Sequence, residues 1–422
     1  MIKASALYMV IIIALVIGVL CSSLIVAGYY YRLQYQKMQR YQLLQRNAGS
    51  AVNLLLAGQD STYTHPETFS LFHLDQDSVC VQTIPWGIYT IGVAKALIQR
   101  DTLYRIFAMA QAVDSSKWAA IYQADSARPL ALSGNTSITG DVFISPAGVN
   151  QAYVNNQAYT GDKVLIKGKI HASEKTLPAL MAGPMAALQS FMQQDRGNIS
   201  GGFKSDSIQH SFLLPSLIFN FGHAIATLSD IKLSGNIILF SDTALTIDST
   251  AVLRNVIVIA RSITVHSGFH GNCQLFAQDT IGIQGNCRFG YPSCAAVLRF
   301  NKSGIVKTPA KVGLNKNTVF AGSVFVYEAE QSALKPVVHI GRQVKVSGQV
   351  YSPGYVELED HAEIAGSVFT RGFLYQSSFT RYENYLINVT VSSKALSPYY
   401  LTPGLFPVAQ KKHKVLQWLE AN

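Results

Sequence analysis

The chain has 422 residues, of which 49% are apolar and 14% are charged, and its formal net charge is +10. This length exceeds one ordinary domain and allows a large buried core, and the low charged fraction excludes a disordered acidic or basic tail. The Lys and Arg residues are scattered, and no RNP, helix-turn-helix or zinc-finger pattern is present. We therefore expect no nucleic-acid partner.

The N-terminal stretch 4–31 carries no charged residue. At about 1.5 Å per residue it can span a hydrocarbon core of about 30 Å. A cleaved signal peptide is the competing interpretation, although the apolar region of a signal peptide is usually shorter. We predict a retained single-pass anchor with the lipid bilayer as its partner. The predicted anchor side chains, ending in an interfacial tyrosine, are Leu7, Ile11, Leu15, Leu20, Ile25 and Tyr29.

Beyond the span, apolar residues recur at three- and four-residue steps from Leu33 to Val52, and Gly58 follows. This pattern predicts one helix over 1–58, whose first half is in lipid and whose second half is amphipathic. Four basic residues follow the span, at Arg32, Lys37, Arg40 and Arg46, against Lys3 before it. A count of positive charge alone places the bulk of the chain in the cytoplasm.

Residues 59–129 contain short alternating runs broken at Pro85-Trp86-Gly87, and they predict a small α+β module. The final stretch 396–422 is Pro-rich and then basic. We predict an irregular segment and a short amphipathic capping helix with Val415, Leu416 and Leu419 on one side. Contact of that helix with a membrane surface, through Lys411, Lys412 and Lys414, is the alternative.

From residue 130 the sequence consists of short runs rich in β-branched residues, separated by Gly, Asn, Asp and Ser. The stretch 255–271 is echoed by 272–287, so that Ala260 answers to Ala277 and Ile263 to Ile281. A phrase of the form Gly-x-Val-aromatic appears around Gly140, Gly322, Gly348 and Gly366, with Tyr351 as the aromatic of the third copy. A period of 17–20 residues predicts a parallel β-solenoid over 130–395, with a β-sandwich as the rival fold.

Two features of the solenoid are predicted separately. An Ala-, Leu- and Met-rich run from 173 to 194, followed by an apolar run from 210 to 228, predicts a helical insertion near 173–228 that packs on the first coils or caps an end. Asn and Gly tolerate left-handed backbone, so we expect a ladder of turn residues. The predicted ladder residues are Asn236, Asn255, Asn272, Gly348 and Gly366.

His266, His270 and Cys273 are candidate metal ligands, because His and Cys can form a tetrahedral zinc site. Their spacing matches no familiar zinc site, so we predict no metal. A disulfide among Cys273, Cys287 and Cys294 is the second alternative, and inert buried thiols are the third.

Polysaccharide-cleaving β-helices need clustered acids, and the dense acidic patch here lies around Glu357 and Glu359. Because side chains alternate along a strand, these two carboxylates lie on one strand face. A solvent-exposed face with no catalytic role would show the same pattern. The sequence has no G-x-S-x-G, H-E-x-x-H or P-loop motif. We predict no enzyme and no cofactor.

Two resemblances follow from these patterns. The first 60 or so residues resemble the N-terminal helix of type IV pilins and minor pseudopilins, with Lys3-Ala4 as the end of a short leader. Counting from Ser5, the fifth position, where that family usually carries Glu, is Met9. The Gly-x-Val-aromatic coils, especially 337–370, resemble bactofilins and related polymer-forming β-helical proteins.

The pilin resemblance implies a cytoplasmic leader and an exported globular part, against the simple charge count. It implies a single-pass protein of the bacterial inner membrane with its bulk in the periplasm. The expected function is a non-enzymatic, minor-pilin-like subunit or scaffold that associates with itself or with other pilin-like subunits through its helix. The alternative is a membrane-tethered β-helix that binds or cleaves carbohydrate, with polysaccharide as its partner.

Overall fold

A computed structural model describes residues 2–58, 63–71, 77–113, 118–194, 203, 205–300, 308–330, 332–377, 380–407 and 410–421. Over these residues the protein is mainly β with one long apolar N-terminal helix, as predicted. Contacts divide the chain into two compact units. The first unit is Met1–Ile84, Gly92–Ile106 and Glu420–Asn422, and the second unit is Pro85–Ile91 and Phe107–Leu419.

The first unit contains a single unbroken helix, α1, from Ile2 to Ala57. No proline interrupts it, and the last turn closes where Gly58 N donates to Leu54 O at 3.0 Å. The predicted helix over 1–58 therefore agrees with the structure. Its final third is buried in the first unit by small and aliphatic side chains, which include Leu44, Ala48, Ala51 and Leu55.

The helix is followed by strands. They are β1 Glu67–Phe69, β2 Asp77–Trp86, β3 Tyr89–Ile98 and β4 Asp101–Val113, in the sheet order β1-β2-β3-β4. The predicted α+β module over 59–129 is wrong, since the described residues there form strands and no helix. Although β3 contains the helix formers Ala, Lys and Leu, its side chains alternate between buried and half-buried, which is the two-residue period of a strand.

Among the described residues, seven short strands of the second unit lie between β4 and the next helix. They are β5 Ala119–Gln123, β6 Leu130–Ser133, β7 Ser137–Thr139, β8 Asp141–Ile144, β9 Val149–Gln151, β10 Ile166–Lys167 and β11 Ile170–Ala172. The helix α2, Ala182–Gln193, follows. It lies within the predicted helical run 173–194, and it buries Met185, Leu188 and Phe191.

Within the described residues, sixteen strands lie between α2 and residue 393. The first eight are β12 Ser207–His210, β13 Leu217–Asn220, β14 Ala226–Leu228, β15 Lys232–Phe240, β16 Ala244–Ile247, β17 Val252–Val265, β18 His270–Ile283 and β19 Arg288–Arg299. The next eight are β20 Lys311–Leu314, β21 Val319–Glu328, β22 Val337–Ile340, β23 Lys345–Leu358, β24 Glu363–Gln376, β25 Arg381–Glu383, β26 Tyr385–Ile387 and β27 Thr390–Ser392.

Most of these strands stack in parallel, coil on coil, together with β5, β7, β8, β10 and β11, and we call this assembly the coil stack. β25 instead pairs antiparallel with β24, and β26 pairs with β6 in a separate three-stranded sheet. One inward column shows the register: Leu245 lies beside Ile263, Ile263 beside Ile281, and Ile281 beside Val312. All four side chains are buried in one continuous hydrophobic core. The parallel pairing suggests a solenoid, because two facing sheets of a sandwich would place antiparallel neighbours at these positions.

The coil stack is interlocked. β24 pairs in parallel with β5 and with β27, so two remote chain segments form the next level together. β8 and β7 then pair with β5 and β27, and β11 and β10 pair with β8 and β7. The first coils of the chain therefore stack on the last ones, and they begin with β5, before the predicted solenoid boundary at 130.

The chain passes from one end of the coil stack to the other after β11. It leaves β11 at one end, and β12 and β13 pair with β15 at the other end. We call the described residues 173–194, which contain α2, the crossover segment. The prediction of a helical insertion is therefore wrong for its second half. Residues 207–228 contain β12, β13 and β14 of the stack, and apolar side chains of these strands, such as Phe219 and Leu228, belong to its core.

The chain closes with β28 Leu401–Thr402 and β29 Gln410–Ala421. The predicted capping helix within 396–422 is wrong, because β29 pairs with β4 and the Trp418 ring lies 5.4 Å from that of Phe107. A strand edge that offers backbone hydrogen bonds overrides the weak helical pattern of a 12-residue segment.

Candidate functional site

The predicted anchor residues form an exposed apolar surface on α1. The exposed fractions of Leu7, Leu20 and Ile25 are 64%, 56% and 73%. Ile11, Leu15 and Tyr29 are exposed in the same way. α1 is long and apolar enough to cross a membrane, which suggests a single-pass anchor or a signal sequence.

The C-terminal part of α1 is fixed in the first unit by polar contacts as well as by apolar burial. Asn47 is 2% exposed, and its Nδ2 donates to Asp77 Oδ2 at 2.9 Å. Arg40 Nε lies 3.3 Å from Asp101 Oδ2. Buried amides are stable only when they are hydrogen-bonded, so Asn47 fixes the rotation of the helix about its axis.

The predicted turn ladder is present in part. Asn255 has a left-handed backbone with φ +53°, and its N–H donates to Asn272 Oδ1 at 3.0 Å, while Asn272 Nδ2 donates to Asn255 Oδ1 at 3.3 Å. Asn236 does not join them, because its Nδ2 donates to Leu214 O. Gly348 and Gly366 lie directly beside each other within β23 and β24, at bends inside strands and not at turns.

Sequence reasoning missed a second column of left-handed turn residues. Asn286, Asn317 and Asn388 have φ values of +60°, +59° and +53°, and Asn317 Nδ2 donates to Asn286 Oδ1 at 3.1 Å. Gln343 and His361 occupy intervening turns with the same backbone sign. The residue type varies along this column between Asn, Gln and His, so a search for repeated Asn does not find it.

A buried polar column on the outer side of the coil stack was also missed. Gln274 Oε1 accepts from Ile88 N at 2.9 Å, and its Nε2 donates to Trp86 O at 3.1 Å. Three coils further on, Gln349 Oε1 accepts from Thr402 Oγ1 at 2.9 Å. The column holds flanking segments of the second unit against the coils. The sequence signal is a Gln within an otherwise apolar strand.

The structure does not assemble the candidate metal ligands. His266 Nδ1 is 3.1 Å from Asp248 Oδ2, whereas Cys273 is buried in the inner core of the coil stack. No group of three or more His, Cys, Asp or Glu side chains suited to a metal occurs among the described residues. Hydrogen bonds from Thr250 N and then from His266 lower the pKa of Asp248 to about 2.

The proposed disulfide does not form, because Cys273, Cys287 and Cys294 are all free and buried. Cys273 and Cys287 belong to the inner core, while Cys294 stands in register with the outward Gln274. Successive residues along a strand point to opposite faces, so Cys273 points inward while its neighbour Gln274, and with it Cys294, points outward, and the Cys273 and Cys294 thiols cannot meet. Burial raises the pKa of both thiols, which makes them unreactive.

The carboxylates of Glu357 and Glu359 flank one histidine. His339 Nδ1 donates to Glu357 Oε2 at 2.9 Å, and His339 Nε2 lies 3.7 Å from Glu359 Oε1. The hydrogen bond from His339 lowers the pKa of Glu357 despite partial burial. A glycosidase general acid needs a raised pKa, whereas the pKa of Glu357 is lowered. Glu357 therefore lacks the electrostatic property that a general acid needs.

No protein-family model matches the chain, and no curated protein matches it in sequence. Among solved structures, the competence-associated pilin ComZ from Thermus thermophilus matches with 12% identity and a TM-score of 0.23. The match covers 86% of this chain and 88% of that chain. A TM-score of 0.23 does not establish that the two proteins share a fold.

Proposed function

We propose that this protein is a non-enzymatic, single-pass subunit of a bacterial envelope assembly that associates like a minor pilin through α1. The observation that supports this proposal is the division of α1 into two parts. Its first part exposes apolar side chains throughout 6–31, while Leu44, Ala48 and Leu55 in its last part are buried in the first unit. The exposed part requires lipid or other helices around it.

The proposed orientation holds the second unit in the periplasm, with the amino terminus in the cytoplasm. The pilin-like pattern of 1–58 supports this orientation, whereas the basic residues from Arg32 to Arg46 oppose it. Fusing alkaline phosphatase, which is active only outside the cytoplasm, to the C-terminus tests the proposal. We expect an active fusion, and activity of a cytoplasm-dependent reporter at the same site would contradict it.

Self-association through α1 is tested by oxidative crosslinking in membranes. The native Cys21 is exposed on α1, so the unmodified chain already carries one probe. Single cysteines at Val19, Leu20 or Ser22, in a Cys21→Ser background, sample other faces of the helix, because successive residues are about 100° apart around its axis and all three are exposed. We expect crosslinked oligomers at a subset of positions that share one face. Monomers at every position would contradict the proposal.

We further infer that the coil stack is a parallel β-solenoid that acts as a rigid body and not as a catalyst. Support comes from the in-register columns of buried aliphatic residues and from the lowered pKa of Glu357. The resemblance of 337–370 to bactofilins agrees with this structural role. A Glu357→Gln, Glu359→Gln double variant should leave envelope assembly unchanged, and loss of a glycan-cleaving activity in that variant would contradict the proposal.

A further inference from the structure

The second unit contains a groove with a volume of about 690 Å³ between the crossover segment and the outer side of the coil stack. One wall comes from residues just before and within α2, including Lys175, Leu180 and Gln189. The other wall comes from the end of β21 and the middle of β23 and β24. A volume of this size is in the usual range of small-molecule and oligosaccharide sites, about 300–1,000 Å³.

The accessible charge of this groove is positive. Lys175 and Arg371 line it from different elements, both are exposed, and neither makes a hydrogen bond or an ion pair of 4 Å or less within the described part of the chain. Among the described residues that line the groove, the one acidic side chain is Glu328, which is 3% exposed and forms an ion pair with Arg299 at 3.0 Å. Asp125 lies outside the lining. Its Oδ1 already accepts a hydrogen bond from Ala127 N, and Lys175 interacts with it only electrostatically.

One tyrosine gives the groove accessible aromatic surface. The Tyr327 ring is half-buried and lies 5.4 Å from that of Phe300. Tyr351 also lines the groove but is 5% exposed, and its hydroxyl donates to Pro178 O at 3.1 Å, which fixes the crossover segment against the coils. An aromatic ring beside hydrogen-bonding groups, here Thr176 and Gln189, offers an apolar face together with polar contacts.

We propose that this groove binds an acidic oligosaccharide, with Lys175 and Arg371 engaging its carboxylates and the half-buried Tyr327 contacting a sugar ring. An extended peptide is a poorer fit because it would need a free strand edge. β21 is paired on both sides, by β19 and β23, and β24 is paired by β23 and β5. This site is independent of the assembly proposed for α1.

The test is isothermal titration of the full-length protein in detergent with a galacturonic-acid hexamer. A neutral maltose-series hexamer and a glutamate hexapeptide serve as comparison ligands. The groove variant is Lys175→Gln with Arg371→Gln. The matched control is Lys163→Gln with Arg128→Gln, which removes the same charge from exposed positions outside the groove.

We expect binding of the acidic sugar that weakens with added salt, and a dissociation constant at least about tenfold higher in the groove variant, since charge-assisted hydrogen bonds are lost. The control should stay within about twofold of the unmodified protein. Equal thermal unfolding of the two variants excludes misfolding as the cause. Absence of uronate binding, equal binding by the groove variant, or equal binding of the glutamate peptide would overturn the proposal.

Discussion

Gly348 and Gly366 show how the close approach of coils fixes residue identity. Their φ values are +147° and +150°, a region that side-chain-bearing residues rarely adopt. A Cβ on Gly366 would also collide with the carbonyl oxygen of Gly348 in the coil before it. Glycine at these bends is therefore required by backbone strain and by contact between coils together.

We expect Gly366→Ala to reduce the free energy of unfolding by about 1–3 kcal/mol, the usual cost of a strained backbone position. Gly282→Ala is the matched control, since Gly282 also lies in a coil strand but a Cβ there meets no atom within 4 Å. Chemical denaturation followed by circular dichroism measures both. Equal destabilisation by the two substitutions would refute the role assigned to the bend.

A second residue-scale prediction concerns the pH dependence of the His339–Glu357 pair. The hydrogen bond from His339 lowers the pKa of Glu357 below its ordinary value of 4.5 in the folded chain. The stabilisation is therefore present above pH 4.5 and is lost as pH falls through the lower folded pKa. Both side chains are mostly buried, at 14% and 17% exposed, so solvent screening is limited.

We expect Glu357→Gln to lower stability by about 1–2 kcal/mol at pH 7, as for a hydrogen bond to a charged group. The difference from the unmodified protein should shrink below pH 4. Thermal unfolding at a series of pH values checks this. Glu359→Gln, at a 48% exposed position, should have a smaller effect. A difference that grows in acid would contradict the assignment.

At the scale of elements, α1 offers a comparison between adjacent leucines. Leu44 is 3% exposed and Leu43 is 42% exposed, so the same truncation removes a packed side chain in one case and a solvated one in the other. We expect Leu44→Ala to cost about 2–4 kcal/mol and Leu43→Ala less than about 1 kcal/mol. Hydrogen exchange of β2 and β3 reports the result. Equal loss of protection would show that the last part of α1 is not docked.

The elements that repeat were predictable from the sequence. The echo between 255–271 and 272–287 pairs Ala260 with Ala277 and Ile263 with Ile281, and the structure aligns the same residues in adjacent strands. The repeat can be recognised in the sequence because each coil places equivalent side chains in one inward column. The anchor was predictable for a similar reason, since a long uncharged stretch has few alternatives.

Other elements could not be predicted because their partners are distant in sequence. β5 pairs with β24, 247 residues further along the chain, and nothing local in its short apolar run indicates that partner. β29 is a strand because β4 offers it an edge, whereas its own pattern suggests a helix. At the candidate groove, Lys175 and Arg371 are brought together only by the crossover.

For the whole molecule, the interlocked coil stack makes the two ends of the second unit depend on each other. The level between β24 and β8 is formed by β5 and β27 together. Asn388, just before β27, reinforces it: its Oδ1 accepts from Asn135 N at 2.8 Å, and its Nδ2 donates to Gln157 Oε1 at 2.7 Å. The C-terminal coils are therefore part of the folding template of the N-terminal ones.

This dependence predicts that damage in β27 will propagate to β7 and β8, about 250 residues earlier in the chain. Val391 is fully buried and lies between Ile364 and Ile138. Val391→Asp places a carboxylate in that core, which costs several kcal/mol, so amides of 137–144 should exchange about a hundredfold faster. Hydrogen exchange with mass spectrometry of the full-length protein measures this.

The control for this prediction is Thr390→Asp, which adds the same charge at the neighbouring exposed position and should leave exchange at 137–144 unchanged. The coils of β17 and β18 provide an internal reference, because several levels separate them from Val391. They should keep their protection in both variants, since each coil contacts only its neighbours. Slow exchange at 137–144 in the Val391→Asp variant would mean that the N-terminal coils fold without β27, and the interlocked level would then be a contact rather than a template.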